Sequence, residues 1–304
     1  MLLVCRRVLL LLPLLFGCGC SLLAKKVPTP AAQLTADDLD RIPKPPDERY
    51  FLILFGSDDI TRWPAYVHTW ATLVRVRTSD IGACGTVTPG CIDPALDVHT
   101  ISWLPTKGEI NPLSFCVEPG KNFDLHASIK NSLDTNQRIA MWGPYEVWHG
   151  LAHRFLIHKA FLDSGAVGYQ CIDSIGEAAR RGNGCDCIHA VTDMDPIYSR
   201  LRYPLLFYGR PATANVVRRL MLSPIFIDPP TTYDWLIPRL GLSEYPIERR
   251  QYRGRVEPHI PGVQSGLDTA APPLLPAVPP KQKEPTPKTA PDPKTPLPDP
   301  KKPE

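Results

Sequence analysis

The residues of this chain best suited to chemistry lie in Asn183-Gly184-Cys185-Asp186-Cys187-Ile188-His189-Ala190-Val191. A glycine-bearing loop delivers Cys187 to the expected first turn of a helix, with Asp186 as its N-cap. Free backbone amides and the helix dipole at such a position favour a thiolate and lower its pKa. A neighbouring imidazole would complete an activated nucleophile. His189 is not the expected partner, because a residue two along on a helix faces away from Cys187. His68 and His99, far earlier in the chain, are better candidates, since a nucleophile and its base are recognised by geometry and not by chain order. The competing reading makes Cys187 a small packed residue or half of a disulfide, with Cys185 close enough to compete for the same distant partner. His68, amid Tyr66 and Trp70, equally fits a hydrogen-bonded core residue.

The chain has nine cysteines. Cys84 and Cys91 bracket a short turn-rich loop and form one candidate disulfide, and Cys171 with Cys185 is the next by proximity, both being permitted outside the cytosol. The spacings Cys185-x-Cys187 and Cys84-x6-Cys91 fit no common structural zinc pattern. His149 and His153 stand four apart as in an HExxH zinc pair, but the sequence reads HGLAH, without the glutamate that serves as general base. No metal and no cofactor are expected. Trp142, Tyr145, Trp148 and Tyr169 suit either a sugar or peptide groove or, as aromatics at such spacings more commonly do, a core.

The elements that would position these residues change period along the chain. Tyr50–Phe55 and Tyr66–Val76 read as strands, the second alternating with Tyr66, His68, Trp70 and Thr72 on one face. Val98–Leu104 reads as a third strand, with His99, Ile101 and Trp103 on one face and Pro105 ending it. Asn122–Ile129 is a short fourth element. From Pro144, residues Val147, Leu151, Phe155 and Leu162 fall at helical spacing, with Gly165 as the stop. Further helices are predicted over 169–181, Cys187–Met194 and Ala214–Leu222. Strands gathered first and helices later predict an α+β domain built on a mostly antiparallel sheet.

The ends of the chain differ from this middle. Arg6 and Arg7, the apolar run Val8–Phe16 and the small residues that follow have the layout of a secretory signal, too short to cross a bilayer. Leu15-Phe16-Gly17-Cys18 resembles a lipobox, which implies lipidation of Cys18 and an exported protein anchored to a bacterial cell envelope. Residues 1–17 are then the signal, 18–46 a lipidated tether and 47–252 the globular domain. Residues 253–304, rich in proline and lysine, form a disordered tail that favours extended polyproline II. This tail suits contacts with the cell wall or with envelope proteins. A formal net charge of +3 is too small to argue for nucleic acid.

Cys187 at a helix start, followed by His189 and Val191, with His68 on an upstream strand, resembles the circularly permuted papain-like fold, including the lecithin retinol acyltransferase-like group. Cys187 and His189 match that group's Asn-Cys-Glu-His-Phe signature, while Asp186, Ile188 and Ala190 depart from it. The resemblance implies Cys187 as nucleophile and His68 as base, with His99 or, in its place, Ser102 as the orienting group. The HTISWLP and CIHAV segments also resemble a group of uncharacterised bacterial lipoproteins. Two function classes follow: a Cys/His hydrolase or acyltransferase acting on an amide or ester, its substrate a cell-wall peptide or a lipid ester, or a non-enzymatic binding or scaffolding lipoprotein with a disulfide-stabilised domain.

Overall fold

The run from Tyr50 to Phe55 lies inside the central strand of the fold, β1 (Glu48–Asp58). The computed structural model describes residues 29–59, 67–81, 87–88, 90–112, 114, 116–173, 182–195, 209–221, 227 and 231–252. All of them lie in a unit that ends at His259; the second unit, Ile260–Glu304, falls outside the described residues. β1 pairs antiparallel with β2 (His68–Arg77) on one side and with β6 (Arg138–Val147) on the other. With β3 (Asp97–Ile101) and β9 (Ile247–Arg250) at the edges, the five-stranded order is β3-β2-β1-β6-β9. Among the described strands of this sheet only the β6–β9 pairing is parallel, so the protein is an α+β domain with a mostly antiparallel sheet. Two small pairs flank it: β4 (Trp103–Pro105) with β5 (Gly120–Asn122), antiparallel, and β7 (Gly168–Tyr169) with β8 (Gly184–Cys185), parallel.

Alternation along β1 explains why the sheet is covered on both faces. Leu52 and Leu54 enter one apolar core with Ala71, Leu73, Ile101 and Trp142. Phe51, Ile53 and Phe55 enter a second with Trp70, Val74, Val76 and Met141. A strand that buries both faces reads as a continuous apolar run, as 50–55 does. Against the first face pack α4 (His149–Asp163), α5 (Cys187–Thr192) and α6 (Gly209–Leu220), through Phe155, Val191 and Val216 among others. Against the second pack α3 (Leu125–Asp134) and α7 (Leu236–Arg239), through Ile129 and Leu236.

Three elements differ from the sequence reading. The helix expected from Pro144 begins only at His149, because Gly143-Pro144, a cis peptide, is the bulge of a strand. Trp142 opposes Leu54 and Tyr145 opposes Leu52, so β6 carries one extra residue there and both side chains still face the first core. Gly143 has φ +94°, and a Cβ would come within 2.7 Å of the Leu52 carbonyl oxygen, so only glycine fits. Secondly, part of the segment assigned to the tether is packed. It forms α1 (Pro30–Gln33) and α2 (Ala36–Asp40), with Ala31 and Leu39 fully buried. Thr29 Oγ1 donates to the Asp193 carbonyl at 2.7 Å, and Arg154 Nη2 to that of Leu34 at 2.8 Å. The helix expected over 169–181 begins instead as strand β7 and a turn, and residues 174–181 lie outside the described residues. No helix among the described residues is long and apolar enough to cross a membrane.

Candidate active site

Cys187 is the first residue of α5, and Asp186 caps that helix, its Oδ1 accepting from the His189 backbone amide at 2.7 Å. The strand β8, two residues long, leads directly into this turn. The other Asp186 oxygen lies 3.1 Å from His189 Nδ1, and the same nitrogen lies 2.9 Å from Oδ2 of the buried Asp173. One imidazole nitrogen between two carboxylates thus fastens the start of α5 to the turn after β7. These three ligand atoms lie within 4.8 Å of one another, a set that could hold a divalent cation. The spacing of Asp186 and His189 is visible in the sequence; Asp173, thirteen residues before Asp186, falls in the stretch read as a helix over 169–181, and nothing in that reading pointed it at His189. Asp186→Ala is expected to lower the unfolding free energy by about 1 kcal/mol, the ordinary value of an N-cap, and Asp186→Ser to restore most of it in urea denaturation. A loss below about 0.3 kcal/mol would mean that Asp173 alone holds the turn.

The thiol itself is buried, 8 % exposed. The expected lowering of its pKa is reversed. Burial first, and then the charge of Asp186, push the Cys187 thiol above its ordinary value, while hydrogen bonding to the Thr69 main chain opposes them. α5 is six residues long, so its dipole is small beside the desolvation of a thiolate. The Thr69 contact places Cys187 against β2 at the residue after His68.

His68 is buried at the start of β2. Its Nε2 lies 2.8 Å from Ser102 Oγ, and its ring stacks on Trp70 at 5.2 Å and 18°. Its Nδ1 is buried with no hydrogen-bond partner among the described residues. The stack on Trp70 puts His68 on the side of the second core, whereas Cys187 belongs to the first, and no hydrogen bond joins the two. Ser102, and not His99, is therefore the group brought to His68. His99 pairs with Leu73 across β2–β3 and turns its Nε2 to Asp97 Oδ1 at 2.9 Å.

Burial keeps the His68 imidazole neutral and pushes its pKa down to about 3 from 6.5. The unfolded chain binds this proton near 6.5, so the stabilisation from a neutral His68 is complete above that pH and is lost as pH falls toward 3. Between these limits a group of this kind removes about 1.4 kcal/mol of stability per pH unit. Urea titrations at pH 6.5 to 4 are expected to show a shallower decline in His68→Gln by that amount. Equal slopes would mean that His68 is solvated.

The remaining candidates sort more simply. Cys91, Cys116, Cys171 and Cys187 are free thiols, and Cys185 Sγ donates to the Asp186 carbonyl at 3.4 Å. The pairing of Cys171 with Cys185 is thus not made, while Cys84, the partner expected for Cys91, and Cys18 lie outside the described residues. His149 and His153 stand with ring centroids 6.2 Å apart and perpendicular. Trp142, Tyr145 and Tyr169 are buried in the first core.

No protein-family model, curated protein or solved structure matches this chain.

Proposed function

We propose that this protein is a thiol-dependent hydrolase or acyltransferase of permuted papain-like design, with Cys187 as nucleophile, His68 as base and Ser102 as the residue that orients His68. The observation that carries this reading is the Thr69 contact: the nucleophile meets β2 one residue from an imidazole whose Nδ1 is unpartnered. With Nε2–H donated to Ser102 Oγ, the tautomer leaves the Nδ1 lone pair open, as a base requires. Trp70 holds the ring plane. In the reaction Cys187 Sγ attacks the carbonyl carbon as Nδ1 takes the thiol proton, and the leaving amine or alcohol departs with that proton. Water, deprotonated by the same nitrogen, then releases the acid and the thiol. Because burial keeps Cys187 protonated at rest, proton removal has to accompany attack, and since His68 rests on the opposite side of β2 from Cys187, the cycle requires the start of β2 to shift so that Nδ1 reaches the thiol.

We further propose that Cys18 is lipidated and that the protein works at the bacterial envelope. The docking of Thr29 shortens the tether: ten residues lie between it and Cys18, a reach of at most about 40 Å. The domain would then stand close to the membrane, with the tail after residue 252 as the part free to reach wall or envelope proteins.

The burial of Cys187 favours a second reading, a binding or scaffolding module in which this thiol is part of the core. Release of nitrophenol from short p-nitrophenyl esters, and of amine from small peptide amides, by the full chain and by Cys187→Ser separates the two. Turnover lost in the variant supports the enzyme. Equal background rates in both, with the fold intact by circular dichroism, support the binding module.

A further inference from the structure

The parallel pairing of β7 with β8 sets Tyr169 opposite Cys185, and Gln170 N continues the ladder to the Cys185 carbonyl at 3.1 Å. The strands end at this pair; two residues on, Cys171 stands in the turn after β7 and Cys187 opens α5, Cys187 within the first core and Cys171 packed against it. Paired parallel chains run about 4.8 Å apart, and a disulfide spans Cα atoms about 4.4 to 6.8 Å apart. Cys185 itself lies across from Tyr169, out of step with Cys171, and its Sγ is turned to the Asp186 carbonyl. From this register we propose that Cys171 and Cys187 are a dithiol pair that closes to a disulfide under peroxide or disulfide oxidants, a redox site built into the β8–α5 turn.

Cys171 is the half-buried member and packs on the edge of the first core, so an oxidant meets it first. A hydroperoxide transfers one oxygen to the Cys171 thiol, giving a sulfenic acid and an alcohol. The Cys187 thiol then attacks that sulfur, the S–O bond breaks, and water leaves with the Cys187 proton. Two electrons pass from the two thiols to the peroxide, and a small dithiol reverses the change. Burial first, and then the charge of Asp186, push the Cys171 thiol up to about 12, with a hydrogen bond from the Tyr169 hydroxyl opposing them, so the oxidation is slow near neutral pH and quickens as pH rises. Where Cys187 is the nucleophile, this bond silences it; that consequence rests on the proposed function, but formation of the bond does not.

The test treats the full chain with cumene hydroperoxide, blocks the remaining thiols with iodoacetamide, and maps disulfide-linked tryptic peptides without reduction. Cys171 and Cys187 fall in different tryptic peptides, and Cys185 shares that of Cys187. The expected result is a link between the two peptides that persists in Cys185→Ser, disappears in Cys187→Ser and in Cys171→Ser, and is reversed by dithiothreitol. A link that disappears in Cys185→Ser, or separate sulfinic acids with no link, overturns the proposal. Ester turnover measured on the same samples keeps the two readings apart. A linked but always inactive protein contradicts the enzyme alone, and an active protein that never links contradicts the dithiol alone.

Discussion

His68→Ala is expected to slow acylation of Cys187 by about 100-fold or more, the range over which a positioned general base contributes. The size follows from the thiol's environment. Cys187 is buried beside the Asp186 carboxylate, and both effects hold its proton on. Without a base within reach, the thiolate needed for attack is scarce near neutral pH. Ser102→Ala should act in the same direction but by about 10-fold, because it removes the hydrogen bond that fixes the tautomer of His68 and leaves the base itself in place. Rates of p-nitrophenyl ester acylation under single-turnover conditions check both, with circular dichroism to show that each variant is folded. If His68→Ala acylates at the wild-type rate, His68 is a core residue and another group, or no group, serves Cys187.

Arg210→Met is expected to lower the unfolding free energy by about 3 kcal/mol, because it strands a buried carboxylate. Asp58, at the end of β1, is fully buried, and its Oδ1 accepts from Arg210 Nε at 2.7 Å and from Arg138 Nη2 at 3.0 Å. Arg210 stands in the first turn of α6 and also reaches Glu248 of β9 at 2.7 Å, so one guanidinium joins the central strand, a helix of the first face and the edge strand. Arg138 is about half exposed and offers a weaker remaining partner. Nearby, α6 lies so close to β1 that a Cβ at Gly56 would come within 2.2 Å of Thr213 Oγ1, which leaves little room for relaxation. Urea denaturation of Arg210→Met measures the loss. Asp58→Asn combined with Arg210→Met should cost less than Arg210→Met alone, since it removes the unpaired charge. A loss below about 1 kcal/mol in the single variant would mean that Arg138 or solvent satisfies Asp58.

The two central strands were legible because β1 and β2 carry unbroken apolar or alternating runs, and the alternation placed His68 with Trp70 correctly. β6 was not, since Trp142, Tyr145 and Val147 straddle a Gly-Pro bulge, which restores their common face in space while breaking their period in sequence. β9 carries one apolar residue in Ile247-Glu248-Arg249-Arg250, too few to show a pattern. The packed segment before residue 47 was hidden by its proline-rich composition. Its signal was local: Thr35 with Asp38 makes a capping box, and Thr29 precedes a helix with proline in its first turn. At the candidate site, the Asp186 cap and the first turn at Cys187 were legible, because capping is a matter of neighbouring residue types. The direction of the Cys187 pKa shift was not, since it depends on how deeply the folded chain buries the thiol. Ser102 as the partner of His68 was one of two alternatives; the sheet decides it, by turning His99 to Asp97.

A covalent acyl group at Cys187 is the most direct sign of a thiol-dependent hydrolase or acyltransferase. Mixing the full chain with a p-nitrophenyl ester of a slowly hydrolysed acid, quenching in acid within seconds and mapping peptides by mass would reveal it. The expected result is one acyl group, on Cys187, absent from Cys187→Ser and strongly reduced in His68→Ala. An unmodified Cys187 while the exposed Cys91 and Cys116 are acylated would contradict it and leave the buried thiol a part of the core.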